Sequence, residues 1–404
     1  MDCEEIFCDA NYLYQGYLDS MKASKWKGMT QAYMYDYLTK LFRLQTMLYT
    51  QSFEPAPTRK FVQNERGRLR LISSLAAQDR IVRHVLCDHV LMPEVRKHII
   101  YDNGASIKGR GITFARKRFE VHLRKYYRKH GNNNGYILFF DFSKFYDNMI
   151  HEVAKRQFLD LIPDPYLEWL LDTIYRGFEV DVSYMSDEEY AHCMDDLFVM
   201  LDYYNEIPDQ LRTGEKWMPK SVDIGDQLSQ VNGIFYPNEI DTYIKYVKSV
   251  KFYGRYMDDG YIMADNKEEL WQYLDEIRDI CRGLGIHIND RKTRIVKMSG
   301  TFRYLQIRYT VTKDGHIIKR INPKRVTCMR SKLKRLAPKV ESGEKSYEDV
   351  EQMYRSWMGS FYKVMSTQQR LGLIDLYEDL FDKEISISNR KMTIIDRGSK
   401  EVIK

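Results

Sequence analysis

Cysteine is scarce and scattered along this chain. The six, Cys3, Cys8, Cys87, Cys193, Cys281 and Cys328, include no CxxC pair, so neither a zinc cluster nor a disulfide framework is signalled and a reducing cytoplasm fits. No apolar run reaches 18 residues, and the opening MDCEEIFCDANYLYQ is acidic rather than hydrophobic. Secretion and membrane insertion are therefore not expected. Internal repeats and low-complexity tracts are also missing. Neither sign of charge dominates: 63 Lys and Arg against 57 Asp and Glu leave +6, too mild a balance to indicate a partner.

What the chain has is length, apolar content and uneven charge. Its 404 residues, 44% of them apolar, can supply cores for two or three lobes. Positive charge gathers in two stretches. Lys108 to His130 has Glu120 as its only acid and interleaves Phe114, Phe119, Tyr126 and Tyr127, and Lys319 to Lys339 has no acid at all. Either run alone reads equally well as a solvated helix face; together they point to a phosphate backbone.

Apolar spacing over residues 10–50 predicts helices, closed by the breaker-rich FEPAPTRK. Phe61 to Ser73 alternates around Asn64-Glu65-Arg66-Gly67 as a hairpin would, and Gln78 to Met92 has helical periodicity. A basic helix follows from about Thr113 to Lys129. YILFFDF then reads as a buried strand ending at Asp141, and KFYGRYMDDGYIMAD as strand, turn and strand around Asp258-Asp259-Gly260. Between them, Phe178 to Pro219 is acidic and Tyr-rich, as a surface insertion would be. From Asn322 onward the pattern is helical.

Nucleotidyl transfer from a triphosphate needs two divalent cations, one activating the attacking 3′-hydroxyl and one holding the leaving pyrophosphate. Carboxylate oxygens suit Mg²⁺. A carboxylate at a strand end (Asp141) and a pair at an exposed hairpin tip (Asp258, Asp259) would build such a site from distant segments. Met194-Asp195-Asp196 is an internal control: it lies in the polar insertion without strand flanks and reads as a solvated helix face.

FDFSKFYD (140–147), IGDQLSQ (224–230) and YMDD (256–259), in that order, resemble the palm motifs of reverse transcriptases. The resemblance implies an α+β right-hand polymerase fold, with an antiparallel palm sheet and a helical thumb. It implies an N-terminal helical extension over 1–57, fingers over 58–135, a palm over 136–312 with an insertion at about 178–220, and a thumb and tail over 313–404. Catalysis would fall to Asp141, Asp258, Asp259 and Lys292, the last in INDRKTRIV near the leaving pyrophosphate. Metal would be held at Asp141, Phe142, Asp258 and Asp259: two Mg²⁺ ions, with Mn²⁺ as a substitute. Nucleotide contacts would come from Arg70, Arg80, Phe142, Tyr146, Ile224, Gly225 and Gln230, with Tyr146 beneath the sugar to exclude a 2′-hydroxyl. TFRYLQI (301–307) takes the place of the primer grip, with Gln306 where glycine is usual. KRVTCMRSKLKRL and YRSWMGSFYKV resemble thumb helices. The partners implied are an RNA template, a DNA or RNA primer and dNTPs.

Most such enzymes begin the middle motif with glutamine; this chain has Ile224, whose side chain cannot hydrogen-bond a nucleotide, so base selection should loosen. The IGxxxSQ form resembles reverse transcriptases of diversity-generating retroelements, bacterial and phage enzymes that copy RNA with errors at adenines and work with a basic accessory protein. The insertion and the GASIKGRGITFARKRF segment leave a phage-defence class open. A catalytically dead palm that only binds nucleic acid would require the carboxylates to be lost, and all three are present. Nothing after Glu384 is long enough for an RNase H or endonuclease domain.

Overall fold

The computed structural model describes residues 2–22, 24–65, 68–201, 207–388 and 391–397. The chain divides into two compact units, 1–122 with 136–295, and 123–135 with 296–404.

The first unit opens with α1 (Cys3–Cys8), α2 (Ala10–Met21), α3 (Gly28–Tyr35) and α4 (Tyr37–Tyr49). Asp2 and Asp9 accept from backbone N–H groups at the starts of α1 and α2, satisfying donors that a helix cannot pair itself. Strands β1 (Arg59–Glu65) and β2 (Arg68–Ser74) form the expected hairpin, with Gln63 opposite Arg70. Arg66 and Gly67, at its expected turn, lie outside the described residues. Helix α5 (Ala77–His84) runs on through a π-helical stretch, Val85–Leu91, into α6 (Met92–His98), so the helix expected over 78–92 is longer and wider-wound. Helix α7 (Ile112–His130) is the basic helix; it begins in this unit and ends in the other.

Next come β3 (Tyr136–Ser143), α8 (His151–Leu159) and α9 (Pro165–Arg176). β4 (Val180–Asp181) pairs with β5 (Trp217–Met218) to close the neck of the insertion. Inside it, α10 (Asp187–Asp195) carries a Ser186/Glu189 capping box. The insertion has a small core of its own, Val180, Val182, Cys193, Leu201 and Met218. Asp195 and Asp196 are exposed at the end of α10, as a solvated face requires.

Helices α11 (Gln227–Phe235) and α12 (Asn238–Thr242) precede β6 (Tyr253–Tyr256), β7 (Asp259–Ala264), α13 (Lys267–Gly283), β8 (His287–Ile288) and β9 (Arg294–Lys297). β6, β7, β3 and β8 lie side by side, all antiparallel. β3 is buried along nearly its whole length, which explains a continuous apolar run instead of an alternating one. Leu270, Leu274, Ile277 and Cys281 of α13 are buried at helical spacing, and this helix packs on the sheet.

The second unit holds an antiparallel sheet, β10 (Thr301–Tyr304), β11 (Ile307–Val311) and β12 (Ile317–Ile321). It is followed by α14 (Pro323–Glu341), α15 (Tyr347–Phe361) and α16 (Thr367–Phe381). α14 buries Val326, Met329 and Leu333, while Lys324, Arg330, Lys332, Lys334 and Arg335 are exposed. The rings of Tyr354 and Tyr377 stack at 4.2 Å between α15 and α16. Where the sequence pattern predicts helix and tail, the chain instead forms a hairpin, β13 (Lys383–Ser388) with β14 (Lys391–Asp396). Among the described residues no helix is long and apolar enough to cross a membrane.

Candidate active site

Strand register brings the carboxylates together. Asp141, near the end of β3, sits directly opposite Asp259, the first residue of β7. Asp258 occupies the turn between β6 and β7, where Tyr256 pairs with Asp259. A two-residue turn of this kind favours glycine at its first position; here Met257 takes it at φ +54°, a strained conformation for a side-chain-bearing residue.

The strain is held by Arg255, a fully buried arginine one position before the motif. Its Nε and Nη2 donate to the carboxylate of Asp241 at 2.8 and 2.7 Å. Nη1 donates to the carbonyls of Met257 at 2.8 Å and Gly233 at 3.1 Å, and Nη2 to that of Ile234 at 2.6 Å. Every N–H of the guanidinium thus has an acceptor, the condition for burying such a charge. Gly233 and Ile234 stand in the last turn of α11, where carbonyls lack helical partners and cation charge is favoured. One side chain therefore caps α11, anchors the Met257 turn and pairs with Asp241. The hydroxyl of Tyr253 completes the cluster by donating to Asp241.

Lys292 closes the other side. Its ammonium donates to both oxygens of Asp141, at 2.6 and 2.8 Å. The segment carrying it is tied to β3 by the Ile288–Phe142 pairing and by Asn289 N–H donating to the Asp141 carbonyl at 2.8 Å.

The three carboxylates repel one another. Burial, then Asp258 and Asp141, push Asp259 up to about 7, against the charges of Lys292 and Arg294. Burial and Asp141 also raise Asp258, against Lys292 and Arg70. The expectation of exposed carboxylates is thus corrected: Asp141 is only 5% exposed and Asp258 and Asp259 are partly buried, because the turn is drawn onto α11 and Lys292 covers Asp141. Among the described residues no three His, Cys, Asp or Glu side chains already stand as a metal cage. The donor set still fits a divalent ion: hard carboxylate oxygens whose mutual repulsion a cation would relieve.

Residues 59–309, more than half the chain, match the family model described as reverse transcriptase (RNA-dependent DNA polymerase). The chain belongs to the reverse transcriptase family. Its fold is accordingly the α+β right-hand polymerase fold, and the family's enzymes are nucleotidyltransferases, which use divalent metal ions. A search of curated proteins gave no match. Among solved structures the chain is similar to a telomerase from Candida albicans in complex with a TWJ fragment of telomeric RNA, at 12% identity and TM-score 0.44, covering 81% of this chain and 59% of that one. It is also similar to apo telomerase from Candida tropicalis, at 14% identity and TM-score 0.43, covering 81% and 62%. The chain thus spans about three fifths of the length of the telomerase chains it matches.

Around the carboxylates of this reverse transcriptase, the other expected residues are distributed unevenly. Arg70 on β2 lies close enough for its charge to favour ionised Asp258. The Tyr146 hydroxyl donates towards Met257 Sδ at 3.7 Å, and burial together with Asp258 pushes it up to about 12. Ile224 is half-buried, and its carbonyl accepts from Ser73 N–H at 3.0 Å, tying the middle motif to β2. Gly225 adopts φ +116°, and a side chain there would meet the Ser73 carbonyl at 2.8 Å, so only glycine fits this close approach. Gln230 is exposed on α11, and the ring of Phe142 is buried against Phe140 and Phe145.

Arg80 is not brought to the carboxylates. Its guanidinium donates to Ser24 Oγ at 2.9 Å and Thr30 Oγ1 at 3.3 Å, bracing the N-terminal helices. Sequence reasoning missed Arg255 and Asp241, and also the ion pair of Arg83 with Asp226 at 2.9 Å, both nearly fully buried. Asp226 caps α11 through Leu228 N–H. The available signal was charged residues set inside apolar stretches, in FYGRYM and NEIDTYI.

Proposed function

We propose that this reverse transcriptase is an RNA-directed DNA polymerase that extends a DNA or RNA primer with dNTPs on an RNA template. The observation that carries this is Asp141 facing Asp259 across the β3–β7 ladder, with Asp258 on the adjoining turn and Lys292 on Asp141. Asp141, Asp258 and Asp259, with the backbone at Phe142, would hold two divalent ions, Mg²⁺ or Mn²⁺. Bound there, the ions supply acidity to the attacking hydroxyl and neutralise the leaving pyrophosphate. The primer 3′-oxygen joins the α-phosphorus as the bond to pyrophosphate breaks. Lys292 carries a proton and a positive charge to the side where the leaving group departs. Arg70, Ile224, Gly225 and Gln230 border the nucleotide, and Tyr146 bears on its sugar. Arg80, engaged with Ser24 and Thr30, would act by holding the helices behind β2.

In this reading residues 1–57 are the N-terminal extension, 58–135 the fingers, 136–312 the palm with its 178–220 insertion, and 313–404 the thumb and tail. The acid-poor segments Lys108–His130 and Lys319–Lys339 grip the phosphate backbone.

We further propose that the product is error-prone cDNA of a diversity-generating retroelement, made with a basic accessory protein in the cytoplasm of a bacterium. Support comes from Ile224, an apolar residue whose backbone carbonyl accepts from Ser73 N–H, where a hydrogen-bonding side chain would discriminate bases. A phage-defence role is the second reading, favoured by an insertion with its own small core.

Purified protein given a primed RNA template, dNTPs and Mg²⁺ should extend the primer, and Asp258→Ala should lower incorporation at least about a thousandfold without loss of fold by circular dichroism. Incorporation by the variant near the wild-type rate would remove Asp258 from the site. Sequencing the DNA decides the subclass: errors at template adenines support diversity generation, and faithful or untemplated DNA supports defence.

A further inference from the structure

Gly233 stands inside α11, seventh of its nine residues, where alanine would be the better helix former. Its φ is ordinary for a helix, so backbone conformation does not demand glycine. The reason lies in what faces it. A Cβ built at Gly233 would stand 2.6 Å from the Tyr146 hydroxyl oxygen, 3.0 Å from Met257 Sδ and 3.4 Å from Tyr146 Cζ. The first of these distances is too short for any real contact, and the Phe145 ring lies beside that of Tyr146 with centroids 5.4 Å apart.

Helix α11 cannot retreat to make room, because Arg255 bonds the Gly233 carbonyl and the Met257 carbonyl with the same nitrogen. The bare Cα of Gly233, the Met257 sulfur and the Tyr146 hydroxyl thus occupy one small space, and the tyrosine ring reaches its present depth only because no side chain stands at position 233.

We propose that Gly233 is a specificity-determining position: its missing side chain sets the depth of the Tyr146 ring and thereby the fit of the nucleotide sugar. The inference rests on the reading of Tyr146 as the ring that bears on the sugar. Gly233 is a positioning residue, acting through Tyr146, while the carboxylates remain where Arg255 holds the turn.

The test is a double-mutant cycle in steady-state primer extension, with Gly233→Ala and Tyr146→Phe made singly and together. Tyr146→Phe deletes the oxygen that a Cβ at 233 would strike. Gly233→Ala is expected to raise the KM for dNTP about tenfold with kcat within about threefold, and to alter the dNTP-over-NTP preference. In the Tyr146→Phe background the same alanine should change KM by less than about threefold. An equal effect of the alanine in both backgrounds, or a loss confined to kcat, would overturn the proposal. Should Gly233→Ala fail to fold, the double variant is expected to fold and to match Tyr146→Phe in nucleotide preference; a double variant that also fails to fold counts against the contact. Failure of the underlying reading looks different: wild-type protein extends the primer, yet Tyr146→Ala, which removes the ring itself, leaves sugar preference unchanged. Wild-type protein that extends nothing would overturn both.

Discussion

Asp79 shows how a single buried group sets pH behaviour away from the chemistry. It is fully buried in α5, and loss of hydration raises it from 3.8 to about 6, against the nearby charge of Arg83. Below about pH 4 it is protonated in both folded and unfolded chains. Between 4 and 6 the unfolded chain gives up the proton while the folded one keeps it, so this group lowers stability as pH rises and its full cost is present above about 6. A displacement of that size corresponds to roughly 3 kcal/mol. Asp79→Asn should therefore gain stability over wild type between pH 4.5 and 6.5, measured by urea unfolding at each pH. A constant difference between the two proteins would show that Asp79 is ionised in the fold. Gln306 is another residue whose identity meets its conformation: Leu305 and Gln306 form the β10–β11 turn at φ +40° and +76°, which explains why glycine is the usual residue there.

At the scale of elements, the junction of β6, α11 and α12 depends on Arg255 and Asp241. Removing one partner of a buried, fully bonded ion pair leaves the other charge uncompensated, a cost of about 3–5 kcal/mol. Arg255→Met also strips the caps from the Gly233 and Ile234 carbonyls and frees the Met257 turn. It should lose stability of that order in denaturant titration, and primer extension should fall with it at temperatures where the variant is still folded. A loss under about 1 kcal/mol would mean that the cluster is hydrated in solution. Much of this element layer was legible beforehand from periodicity: the hairpin expected over 61–73 is β1 with β2, the strand expected to end at Asp141 runs two residues further to Ser143, and the helical pattern from Asn322 is met by α14. The π-helical stretch at Val85–Leu91 and the hairpin at 383–396 were not, because hydrogen-bond shift within a helix and weak alternation near a chain end leave little compositional trace.

At the scale of the molecule, net charge says little and its placement says more. Lys332, Lys334 and Arg335 are exposed on α14, outside the apolar stripe. If this helix rides on the duplex backbone, neutralising the three to glutamine should weaken hybrid binding at all sequences alike. It should also flatten the dependence of log affinity on log salt by roughly 2–3, read by fluorescence anisotropy over a salt series. An unchanged slope would place the backbone contacts elsewhere.

The sequence by itself determined which residues could do chemistry. The aspartates, the lysine and the motif order are local properties, written in strand, turn and flanking pattern, and the family match over 59–309 agrees with the reverse transcriptase resemblance drawn from them. Only the tertiary structure decided how those residues are held. That Asp141 faces Asp259 is a matter of register between strands more than a hundred residues apart. That Arg80 braces helices while Arg255 braces the turn follows from which charged group meets an acceptor after burial, a choice set by packing and desolvation among distant segments.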